Sequence, residues 1–162
     1  MANEHIATYL NDHLAGSVVA LELLGYLESA HAGTNLEIFL AELHADVAAD
    51  RQQLEALMGR LCITESSTRK ASAWLAEKVT ELKLSFDDPQ GGPLRLFESL
   101  EALSLGIEGK RALWLALDAA AEDSPGLQVL DYERMAQRAA EQRNRVEAVR
   151  LQTAKSALTP GP

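Results

Sequence analysis

The sequence predicts an all-α protein built as a four-helix bundle, and three observations lead there. Apolar residues recur at three- and four-residue intervals over four long stretches, glycine and proline gather between those stretches, and no segment carries the two-residue alternation of a strand. At 162 residues the chain suits one domain, read as 1–158 with a short tail over 159–162.

The first helix is expected from about Asn3 to Ala32, where Gly33 supplies a stop. Thr34 then reads as a cap for the second helix, with Glu37 three residues on completing a capping box. The second helix continues to about Leu61. The third is expected from Pro93 to Glu122 and the fourth from Pro125 to Ala157, with Ser124 as cap and Pro125 in the first turn. A shorter amphipathic helix, Ser67 to Lys83, places Ala71, Trp74, Leu75, Val79 and Leu82 on one side of the long connection between helices two and three.

One internal repeat bears on topology. The stretch Asp50 to Leu57 lies over Gln142 to Val149, matching Arg51 with Arg143, Glu55 with Glu147 and Ala56 with Ala148. A doubled helical hairpin would make the second and third helices parallel, with residues 62–92 crossing the length of the bundle.

Charge and cysteine usage exclude several classes. A net charge of −9 argues against nucleic acid, and the cluster Arg134, Arg138, Arg143, Arg145 and Arg150 is interleaved with Glu133, Glu141 and Glu147, as on a solvated helix face laced with ion pairs. The longest apolar stretch, Leu14 to Leu27, is too short for a bilayer and contains Glu22. A lone Cys62 and the lack of a signal-peptide pattern point to the cytoplasm. No phosphate loop or nucleophile elbow occurs, and Cys62 reads as an inert thiol.

Polar residues interrupt the apolar stripes. At 100° per residue, Asp50 falls among Leu36, Leu43, Val47, Leu54, Leu57 and Leu61, with Asp46 on the flank. His13 and Ser17 sit between Ile6, Leu10, Leu21 and Leu24. Arg111 lies close to the stripe of Leu96, Leu100, Leu103, Ile107 and Trp114, and Gln142 lies among Tyr132, Met135, Ala139, Val146 and Val149. A buried polar layer of His13, Ser17, Asp50, Arg111 and Gln142 is therefore expected, in which Asp50 pairs with Arg111 and hydrogen-bonds His13 or Gln142.

The segments HLAGSVVALELLGYLES, AELHADVAADRQQLEALMGRL, LFESLEALSLGIEGK and RAAEQRNRVEAVR resemble the ferritin-like superfamily over nearly the whole chain. That resemblance implies a ferritin-like four-helix bundle, with the short extra helix in the long connection. Di-iron members carry a Glu on each of two helices and a Glu-x-x-His pair on each of the other two. Here Ala41 stands three residues before His44, with the glutamate displaced to Glu42, and Glu133 is followed by Ala136 in a fourth helix that lacks histidine. One Glu-x-x-His occurs, as Glu28 to His31, at the end of the first helix.

The expectation is therefore a non-catalytic ferritin-like protein without cofactor, acting by self-assembly or partner binding. A homodimer through the first helix is expected because Val19 and Leu23 point away from its stripe. The alternative is a di-metal carboxylate enzyme or metal-handling protein that binds iron or manganese through His13, Asp46 and Asp50, or through Glu28 and His31.

Overall fold

Among the described residues four long helices stand out, α1 (Glu4–Ala30), α2 (Asn35–Arg60), α3 (Gly92–Ala121) and α4 (Tyr132–Leu158), each about 40 Å long. The computed structural model describes residues 4–66, 77, 80 and 92–160, so the helix expected over Ser67 to Lys83 lies outside the described residues. No described helix is long and apolar enough to cross a membrane.

The turns satisfy orphan helix-end groups differently from the sequence expectation. Gly33 adopts φ 78°, the left-handed conformation that a glycine accepts after a helix. The Thr34 hydroxyl donates back to the His31 carbonyl at 2.7 Å, and the Glu37 carboxylate accepts from the Gly33 amide at 2.6 Å. The reciprocal capping box is thus not made. In so short a turn the carbonyls ending α1 are nearer to Thr34 than the amides of α2, and Glu37 reaches one residue past the cap.

The fourth helix also starts later than expected. Pro125–Leu127 forms a single 3-10 turn, Ser124 makes no side-chain cap bond, and Asp131 caps α4 by accepting from the Arg134 amide at 2.9 Å. The intervening residues close the corner: Gln128 donates to the Ala121 carbonyl at 2.8 Å and Tyr132 donates through its hydroxyl to the Leu127 carbonyl at 2.7 Å. The Ala121 carbonyl also accepts from the Ser124 amide and the Leu127 carbonyl from the Val129 amide, so each acceptor serves two donors.

Apolar side chains form two clusters. One contains Leu10 and Leu14 of α1, Leu54 and Leu57 of α2, Trp114 and Leu117 of α3, and Tyr132 and Ala136 of α4. The other contains Leu24 and Leu27, Leu40 and Leu43, Leu100 and Leu103, and Ala139 and Val146. Cluster membership fixes direction. The C-terminal halves of α2 and α3 share the first cluster, so these two helices run the same way, and the chain between Arg60 and Gly92 joins opposite ends of the bundle. Helices α1 and α2, and α3 and α4, pack as antiparallel pairs.

The inward positions follow a heptad: Leu40, Leu43, Val47, Asp50, Leu54 and Leu57 are buried on α2, and on α3 Leu100, Leu103, Ile107, Trp114, Leu117 and Ala121 are buried with the partly buried Lys110 at the same spacing. Bundle helices supercoil slightly, which shortens the period from 3.6 to 3.5 residues and keeps one seam facing inward. The two halves share this spacing, since Leu10 and Leu100, Leu23 and Leu113, Leu24 and Trp114, and Leu27 and Leu117 are buried at one constant interval. Leu23, expected to face outward, is in the core at 2 % exposure; on the outer side of α1 it is Val18 that is exposed.

After α2 the chain is tied to α1. Asn11, buried at 6 %, donates to the Ala7 and Thr64 carbonyls at 2.9 and 3.3 Å and accepts from the Ser66 amide at 2.7 Å.

Truncating Leu57, which is fully buried, is expected to cost about 2–5 kcal/mol as Leu57→Ala. Ile38→Ala, at a 66 % exposed position, is expected to change stability by no more than about 0.5 kcal/mol. Urea denaturation of the two variants checks the assignment of core and surface.

Candidate functional site: a charged layer between two apolar clusters

The heptad that buries leucine elsewhere puts Asp50, Lys110 and Gln142 at the same level, between the two apolar clusters. An unpaired carboxylate there would cost several kcal/mol, so its partners decide whether the bundle closes. Asp50 is only 3 % exposed. Its Oδ2 accepts from Lys110 Nζ at 2.6 Å and from Gln142 Nε2 at 2.8 Å. Its Oδ1 lies 2.9 Å from Arg138 Nε, a charge contact outside hydrogen-bond alignment. Lys110 also donates to Gln142 Oε1, closing a triangle across three helices.

Asp46, one turn before Asp50 on α2, extends the layer outward. It pairs with Arg138 Nη2 at 3.3 Å and with Arg145. Arg138 thereby bridges both aspartates from α4. Burial pushes the Lys110 ammonium below the ordinary lysine range, opposed by the nearby Asp50 carboxylate.

The expected partner of Asp50 is corrected. Arg111 instead bonds Glu108 at 3.0 Å on its own helix and its side chain is 38 % exposed. A straight helix of 3.6 residues per turn brings position 111 towards the stripe, whereas the 3.5-residue heptad brings Lys110 there. Gln142 does bond Asp50, as one of the two expected alternatives. His13, the other, is half-buried with its ring edge-to-face on Tyr9 at 4.7 Å between centroids. Burial lowers the His13 pKa, partly offset by Asp12. Ser17 is half-buried and turns its hydroxyl to the Leu14 carbonyl at 2.6 Å.

The Glu28 and His31 pair is not brought together as a site. Glu28 pairs with His44 across the α1–α2 turn, while His31 stands at the helix end, its pKa lowered by partial burial. Among the described residues no three His, Cys, Asp or Glu side chains gather where they could hold a metal ion. The residues of the layer do not fit a di-metal centre: its two carboxylates are engaged by three cations, which repel a metal.

A second charged seam joins α3 to α4. Arg150 makes two bonds to Glu147, at 2.8 and 2.9 Å, reaches Glu101 at 3.0 Å, and lies over the Phe97 ring at 5.3 Å. Hydrogen bonds from Arg150 and from Ser104 hold the Glu147 carboxyl down at about 2. Sequence reasoning found these arginines as an ion-paired face. It missed that Asp46, Asp50, Glu101 and Glu108, on other helices, are among their partners.

Shallow depressions flank α4. One of about 390 Å³, between α2 and α4, is lined by Asp46, Arg138, Glu141, Gln142, Asn144 and Arg145. Another of about 260 Å³ is lined by Glu108, Arg111, Ala140, Arg143 and Asn144.

Removing Lys110 as Lys110→Met is expected to cost about 3 kcal/mol, because Asp50 stays buried with half its cationic partnership gone. Arg111→Met, which breaks an exposed pair, is expected to cost less than about 1 kcal/mol in the same chemical denaturation experiment. A pH effect follows from His13. Its folded pKa lies below the ordinary 6.5, so the unfolded chain binds the proton first and stability falls as pH drops through 6.5. Denaturation midpoints measured from pH 7 to pH 5 should therefore decline less steeply in His13→Phe than in the parent chain.

No protein family, no curated protein and no solved structure matches the chain.

Proposed function

We propose that the chain is a ferritin-like helical protein without catalytic activity, working by self-association or by binding a partner in a reducing compartment. The observation that carries this reading is the state of Asp50. Ferritin-like oxidation chemistry needs carboxylates and imidazoles free to face metal ions inside the bundle, and here Lys110, Arg138 and Gln142 fill both Asp50 oxygens. The parallel α2 and α3 and the crossing between them support the ferritin-like part of the reading. Support for association comes from the outer side of α1, where Val18 is exposed and Ala15 is half-buried, although Val19 packs inward against the second cluster.

Two measurements on protein purified without chelator test the proposal. Light scattering at high concentration is expected to give a dimer, lost on Val18→Glu, and metal analysis is expected to give far less than one equivalent of iron or manganese. A monomer at all concentrations would remove the self-association, and stoichiometric metal that disappears with Asp50→Asn would remove the non-catalytic reading.

A further inference from the structure

We draw no further inference here: the strongest candidate, the outward side of α3 on which Leu105, at 67 % exposure, shares one face with Gly109, Ala112 and Ala116, is an apolar surface of mostly small residues, and nothing in the structure shows what covers it.

Discussion

Burying the charge of Asp50 is the constraint on which the rest of the bundle depends. Apolar layers tolerate small slides of one helix along another, because leucine packs against leucine in several registers. A carboxylate at 3 % exposure does not, since a shift of one heptad position would take Lys110 or Gln142 out of reach. The single side chain of Asp50 thus aligns α2 with both α3 and α4. Arg138 and Arg145 secure the outer edge of the same contact through Asp46. Such a layer contributes less net stability than leucines would, and it contributes uniqueness of alignment instead.

Much of the architecture was legible in the sequence because it rests on local, periodic signals. The four helices, the break at Gly33 and the inward positions of Leu43, Leu54, Leu100 and Gln142 follow from periodicity alone. Turn chemistry was read less well. Thr34 and Ser124 are good caps by residue type, but each sits where a neighbouring helix end competes for its hydroxyl or where a 3-10 turn intervenes, and only the closed structure shows that.

For the charged layer, the sequence supplied the residue types and missed the pairing. Asp50 and Gln142 were identifiable because a polar residue on a leucine stripe stands out. Choosing Lys110 over Arg111 required the difference between a 3.6- and a 3.5-residue period, which is only about 20° per heptad and tips the choice because the two positions lie on either side of the stripe. The regular spacing of Leu103, Ile107, Trp114 and Leu117 carried that signal. Nothing comparable pointed to Arg138 meeting Asp46 and Asp50, because the contact with Asp46 joins residues ninety-two apart, and that with Asp50 is almost as distant, on helices whose relative rotation no local pattern sets.

The shared spacing of the two hairpins raises a question of mispairing, for two similar halves can pair with copies of themselves in other molecules. The charges answer it. On α1, Glu4, Asp12, Glu22 and Glu28 stand with no lysine or arginine, and α2 adds Asp46 and Asp50, whereas α4 presents Arg138 and Arg145 at the facing positions. Two first hairpins brought together would set aspartate against aspartate, and two second hairpins would set guanidinium against guanidinium. Only the unlike pair neutralises, so divergence in charge sign selects the intramolecular partner over exchanged, intertwined assemblies of the same helices.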